Sequence, residues 1–272
     1  MIKLIASDID GTLVPDGSDK INEKIYSLIK KLKEEKIYFV AASGRQFTSL
    51  IKLFEPVKDQ IFFVSDNGAS IQTAARPLFS YVIKEDLATK LINHLRSLNR
   101  GTVVISTPEN VCIDSGDTEF INLLVNGYKN EVKVVDDITK VPNIIKISLY
   151  DKENVEQFIS PLSEIWGKQL KVTLAGKEWI DFMDTDVSKG AAIALLQDAL
   201  DIKVSQTCAF GDQLNDIEML EQAKFSFAVE NAKEETKKKA KYICKSHKED
   251  GVIGVLEEIS KYQTIVHEEK YQ

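Results

Sequence analysis

Six residues near the start of the chain, Asp8-Ile9-Asp10-Gly11-Thr12-Leu13, constrain it more than any other stretch. They follow Met1-Ile2-Lys3-Leu4-Ile5-Ala6-Ser7, a short apolar run that reads as a buried strand. Gly11 supplies the break at which such a strand ends. Side chains alternate with period two, so Asp8 and Asp10 project to the same side of the chain. In a parallel α/β sheet the carboxyl ends of the strands form the ligand crevice. A plain acidic turn is the competing reading for so short a motif, and the rest of the chain weighs against it.

The strand-then-polar-loop pattern recurs. Asn22 is placed to cap a helix running to about Glu35, with Ile25, Leu28, Ile29 and Leu32 on one face. Ile37 to Ala42 is a second buried strand and ends in Ser43-Gly44-Arg45. Strand, helix and strand in that order imply a right-handed βαβ unit. Ile61 to Val64 is a third strand, ending in Ser65-Asp66-Asn67-Gly68-Ala69, where Asn-Gly is a strong turn signal. Three strands ending in glycine-bearing polar loops suggest a constructed site.

From about Val82 the texture changes to an α+β module. It holds a helix over Glu85 to Leu98, short strands at 102–106 and 110–113, and a helix at 117–125. Strands at 132–135 and 144–149 follow, then a helix at 154–165 interrupted or kinked near Pro161. Leu170 to Leu174 and Trp179 to Met183 read as paired strands. A helix restarts at Asp186-Val187-Ser188-Lys189-Gly190. Lys189 is oddly placed there, because a helix amino end disfavours a cation unless an anion binds nearby; a surface lysine is the alternative. Thr207 to Phe210 is another buried strand, ending in Gly211-Asp212-Gln213-Leu214-Asn215-Asp216. A helix over 216–223 and a strand over 225–229 come next. Lysine-rich 233–241 reads as a solvated helix, 242–244 as an edge strand, 252–259 as a closing helix, and 264–272 as a frayed tail.

Composition excludes several classes. A net charge of −7 argues against non-specific nucleic-acid binding. No apolar run approaches the roughly 20 residues that span a bilayer, and no basic, cleavable leader precedes the first strand, so a cytoplasmic location is expected. Cys112, Cys208 and Cys244 are odd in number and far apart, which disfavours a zinc site or disulfide framework. His94, His247 and His267 stand in no ligand or base motif.

With these loops in place the chain resembles the haloacid dehalogenase superfamily of phosphohydrolases, and within it the Cof-type branch with a type IIB cap. The resemblance rests on Asp8 to Leu13, Ser43-Gly44-Arg45, Lys189 in Val187-Ser188-Lys189-Gly190, Gly211 to Asp216, and Asp66-Asn67-Gly68-Ala69, all in the expected order. It implies an α/β fold. Residues 1–82 and 188–272 would form a doubly wound, mostly parallel, Rossmann-like core, with 83–187 inserted as an α+β cap that selects substrate. It also implies Mg²⁺, held by Asp8, the Asp10 main-chain carbonyl, Asp212 and, through water, Asp216. Asp8 is then the nucleophile and Asp10 the general acid and base. Ser43, Gly44, Lys189, Thr12 and Asn67 would surround the phosphate, with Thr12 also positioning Asp10. Gly211 and Asn215 would shape the last loop. Arg45 is a candidate bridge from core to cap, with a structural salt bridge as the competing role.

Elementary electrostatics agrees with a metal. Two like charges about 4 Å apart repel by roughly 4 kcal/mol at an effective dielectric of about 20. A divalent cation relieves three crowded carboxylates, and an all-oxygen site suits Mg²⁺. The expected activity is hydrolysis of a small phosphate ester, a sugar or cofactor phosphate, through an aspartyl-phosphate. A phosphomutase and a non-enzymatic phospho-acceptor are the alternatives. The sequence is silent on oligomeric state.

Overall fold

The structure, a computed structural model, describes residues 1–271. It divides into two compact units. The first comprises Met1–Arg45, Leu50–Leu78 and the chain from Ser188 onward; the second comprises Gln46–Ser49 and Phe79–Val187. By compactness the first junction falls at 78/79, and the short segment 46–49 groups with the second unit.

In chain order, the opening segment holds β1 (Leu4–Ser7), α1 (Lys24–Glu34), β2 (Tyr38–Ala42), α2 (Phe47–Leu53), β3 (Phe62–Ser65), β4 (Ser70–Gln72) and β5 (Pro77–Ser80). The middle segment holds α3 (Glu85–Ser97), β6 (Thr102–Ser106), β7 (Val111–Ile113), α4 (Thr118–Asn122), β8 (Val132–Val134), β9 (Lys146–Tyr150), α5 (Glu156–Trp166), β10 (Lys171–Leu174) and β11 (Trp179–Met183). The closing segment holds α6 (Lys189–Ala199), β12 (Thr207–Gly211), α7 (Ile217–Glu221), β13 (Phe225–Val229), α8 (Glu234–Lys239), β14 (Tyr242–Cys244) and α9 (Gly251–Tyr262).

The larger sheet runs β14-β13-β12-β1-β2-β3-β4-β5. Its strands are parallel from β14 through β3, and β4 turns back antiparallel to β3. Every residue of β1 and β12 is buried, as expected where both faces of a parallel sheet are covered. On one face Leu4, Ala6, Val40, Val64 and Ala209 pack against Ala192, Ile193 and Leu196 of α6 and Met219 and Leu220 of α7. α1 buries Ile25, Leu28, Ile29 and Leu32, the residues its periodicity selects. Asn22 accepts the Lys24 N–H at 3.0 Å, so the capping oxygen is used. β1 lies between β2 and β12, and strand order reverses there. That reversal is the topological switch point at which open α/β sheets bind ligands.

The smaller sheet runs β10-β11-β9-β6-β7-β8, antiparallel except between β7 and β8. One face carries Val103, Ile105, Ile147, Leu149, Ile180 and Phe182, packed on α3 and α5. α5 runs on through Pro161 without interruption. On the other face Val104, Val111 and Ile113 pack against Phe120 and Leu124, at and just beyond α4. No helix among the described residues is long and apolar enough to cross a membrane.

The tail corrects an expectation. Residues 264–271 are docked, not frayed: Glu258 of α9 accepts the Val266 and His267 N–H groups at 2.7 and 2.9 Å and the Tyr271 hydroxyl at 3.0 Å. Ile265 is buried, and the Tyr271 ring meets Phe227 edge-on at 5.2 Å. Burial alone would raise the Glu258 carboxyl, but these donors hold it below its ordinary value. Its folded-state pKa is thus depressed. It contributes stability above the unfolded pKa, and that contribution is lost as pH falls through the depressed value. Glu258→Ala should cost about 1–3 kcal/mol in urea unfolding near neutral pH, by orphaning two amides. The gap from wild type should close in acid; an equal gap at both pH values would contradict the assignment.

Candidate active site

The loops that follow β1, β2, β3 and β12 meet at the switch point. Ser43 N–H donates to Val64 O at 2.9 Å, Asp66 N–H to Arg45 O at 2.9 Å, and Asn67 N–H to Ser43 O at 3.0 Å. These bonds zip the second and third loops together. Two glycines mark closer approaches. Gly11 has φ +80°, and a Cβ there would sit 2.4 Å from Asp212 Oδ2. Gly68 has φ +105°, and its Cβ would lie 2.2 Å from the Ser188 carbonyl oxygen. Both positions need the left-handed backbone and the missing side chain.

Lys189 is the first residue of α6, and its side chain is only 1% exposed. Ser188 caps the helix by accepting the Ala191 N–H at 3.0 Å. The Lys189 ammonium donates to Asp8 Oδ1 at 2.5 Å and to Asp216 Oδ1 at 2.6 Å. The alternative of a solvated surface lysine is therefore wrong: the anions it needs are carboxylates of the protein itself. Burial opposes its charge, yet Asp216 and Asp8 outweigh burial and hold it above its ordinary pKa. Burial, reinforced by Asp216, pushes the Asp8 carboxyl well up against the pull of Lys189, and burial also raises Asp212.

Asp8, Asp212 and Asp216 each offer an oxygen, and these lie within 4.8 Å of one another. One buried lysine against three buried carboxylates leaves the cluster short of positive charge. The donor set is all oxygen, which fits Mg²⁺. Asp216 is already committed: its Oδ2 accepts the Asp212 and Gln213 N–H groups, each at 2.9 Å, while Oδ1 serves Lys189. It braces the loop that begins at Gly211, the last residue of β12.

The Thr12 hydroxyl donates to Asp212 Oδ1 at 3.0 Å, so it orients that carboxylate. The Arg45 guanidinium grips Asp10 at 2.6 and 2.8 Å and reaches Asp19 at 3.3 Å, the salt bridge that competed with a cap contact in the sequence. Asn67 accepts from Asn215 Nδ2 at 2.8 Å, and Gly44 lies beside the Asn67 amide. The Ser43 hydroxyl accepts the Arg45 N–H at 3.1 Å.

Sequence reasoning missed two supports. Asn231 Nδ2 donates to the Gly11 carbonyl at 2.7 Å, and His247 Nδ1 lies 3.1 Å from the same oxygen. Asn231 follows β13, so it stands in the loop of yet another strand's carboxyl end, the signal that found the others. Nothing in the sequence singles out His247. In the second unit Trp179 lies among Phe120, Tyr128 and Tyr150 and donates to the Tyr128 hydroxyl at 2.9 Å. Ser148 donates to Asp181 at 2.6 Å.

The charge count yields a stability prediction. Lys189→Met strands buried carboxylates and should cost about 3–5 kcal/mol in metal-free buffer. Mg²⁺ should recover part of that loss, read as a shift in urea midpoint. A variant as stable as wild type without metal would refute the ion-pair account.

A family model for haloacid dehalogenase-like hydrolases matches residues 5–256. The chain is 29% identical over 265 residues to 5-amino-6-(5-phospho-D-ribitylamino)uracil phosphatase YbjI of Escherichia coli K12, covering 96% of this chain and 97% of that protein. It is 25% identical over 266 residues to the phosphatase YcsE of Bacillus subtilis, which is named for the same compound, with 94% of each chain covered. A crystal structure from Eubacterium rectale superposes with a TM-score of 0.89 at 38% identity, over 95% of this chain and 99% of that one. Matched over nearly its whole length, with its acidic loops and buried lysine gathered at one sheet reversal, this chain belongs to the haloacid dehalogenase-like hydrolases and is a phosphatase.

Proposed function

We propose that the protein is a Mg²⁺-dependent phosphomonoesterase that works through an aspartyl-phosphate on Asp8. The observation that carries this reading is the buried Lys189 joined to Asp8 and Asp216 beside Asp212. A dianionic phosphate cannot approach a carboxylate nucleophile unless positive charge is fixed nearby. Lys189 supplies one such charge from inside the protein. Mg²⁺, held by Asp8 and Asp212 with Asp216 bracing the loop, would supply more by neutralising phosphate oxygens.

The residues then divide the work. An Asp8 carboxylate oxygen attacks phosphorus, the ester P–O bond breaks, and Asp10 gives its proton to the departing alcohol oxygen. In the second half a water attacks the aspartyl-phosphate, and Asp10 takes the water's proton. The bond from phosphorus to Asp8 breaks, which returns the carboxylate and releases phosphate. Ser43, the loop amides and Asn67 line the phosphate cradle, and Asn215 holds the Asn67 amide in one orientation.

We place substrate choice in residues 83–187, with residues 1–82 and 188–272 as the catalytic core. The core groups address a phosphate, which every candidate ester shares. The alcohol must be read elsewhere, and the inserted module is the available source. Because two relatives are named for 5-amino-6-(5-phospho-D-ribitylamino)uracil, that compound is the first substrate to test among small sugar and cofactor phosphates.

The test is phosphate release from such a panel with Mg²⁺ and with chelator. Wild type should release phosphate only with the metal. Asp8→Asn should fall to background while melting as a folded protein, and Asp10→Asn should lose roughly 10²–10⁴-fold. Near-normal release by folded Asp8→Asn would remove Asp8 as nucleophile.

A further inference from the structure

Asp10 sits on a loop, its side chain 29% exposed. A carboxylate that passes a proton must lie within hydrogen-bond reach of the oxygen that receives it. Arg45 meets that need from outside the reacting atoms. Its Nε donates to Asp10 Oδ2 at 2.8 Å and its Nη2 to Oδ1 at 2.6 Å. Such a two-point contact fixes the plane of the carboxylate as well as its place, which a single ammonium cannot do. The Gly17 N–H adds a third donor to Oδ1 at 3.1 Å.

Arg45 is itself held. Its side chain is 13% exposed, and Nη2 and Nη1 also donate to the Ser18 carbonyl and to Asp19, at 2.8 and 3.3 Å. Its main chain is pinned by the Ser43 hydroxyl at 3.1 Å and by the Asp66 N–H at 2.9 Å. A continuous run of hydrogen bonds thus leads from the ends of β2 and β3 to the Asp10 carboxylate. A surface ion pair made only for stability would not need this bracing.

We propose that Arg45 is the positioning residue for Asp10, and that it acts in the departure of the alcohol rather than in binding the phosphate. The proposal rests on the phosphomonoesterase reading above. A group that aims the proton donor matters in proportion to how much the leaving oxygen needs a proton. Dinitrophenolate departs with little help, whereas phenolate and sugar alkoxides depend on it.

The experiment measures alcohol release in the first turnover, with Mg²⁺ at one fixed pH, from dinitrophenyl phosphate, phenyl phosphate and a sugar phosphate. It compares wild type, Arg45→Lys, Arg45→Met, Asp10→Asn and the double variant Arg45→Met with Asp10→Asn. Arg45→Met should slow phenyl and sugar phosphates by roughly tenfold or more and dinitrophenyl phosphate by less than about threefold, with KM nearly unchanged. Arg45→Lys should recover only part of the loss, and Arg45→Met should add no further loss on Asp10→Asn. Should Arg45→Met not fold, the same leaving-group comparison with Arg45→Lys decides. An equal loss for all three esters, a loss confined to KM, or additivity with Asp10→Asn would overturn the proposal. If wild type released phosphate from no ester at all, the hydrolase reading would fail first, and visibly so before any variant was compared.

Discussion

The ion cluster of Lys189 with Asp8 and Asp216 is the constraint around which the first unit is arranged. Charged groups are rarely buried without partners, because the loss of hydration costs several kcal/mol per ion. Here the three groups come from two strand–loop junctions and one helix start, and each must arrive in register for the charges to be compensated. A sheet whose strand order reverses between β1 and β12 delivers two of those loops side by side. The start of α6 delivers the third, and the Ser188 cap fixes where the lysine leaves the helix.

Around that cluster the loops are held both by main-chain bonds and by side chains that brace them from behind. The 43–45 and 66–68 loops are tied to one another through backbone amides, and Asp216 accepts two amides of its own loop. The first loop is gripped from behind through the Gly11 carbonyl by Asn231 and His247. Its Asp10 side chain is gripped by Arg45. Reacting groups placed this way lose little entropy when substrate binds, because their directions are already set.

The second unit follows a different economy. Its sheet is mostly antiparallel, with one face given over to the hydrophobic core under α3 and α5. The opposite face is mixed. Part of it is a small apolar cluster around Phe120, and part carries the hydrogen-bonded Ser148 and Asp181. A sheet with one committed face can vary the other without losing its core, which suits the substrate-selecting role proposed for this module.

Local patterns carried much of the fold in the sequence. The apolar runs of β1, β2, β3 and β12, the stripe of α1, and the polar glycine-bearing loops after the strands are all short-range features, and they identified the parallel core and the acidic residues within it. Elements with weak periodicity escaped: α2, β4 and β5 are short or partly exposed, and their existence depends on neighbours rather than on their own residues. The tail was misread because its polar composition conceals a dock on Glu258. The sequence by itself determined which residue types stand at the strand ends, and hence a phosphate chemistry. Only the tertiary structure decided which of them touch. Lys189 meets a carboxylate 181 positions away, Thr12 serves Asp212 across 200, and Arg45 turns back to Asp10. Such pairings follow from strand order and loop closure, which no local spacing encodes.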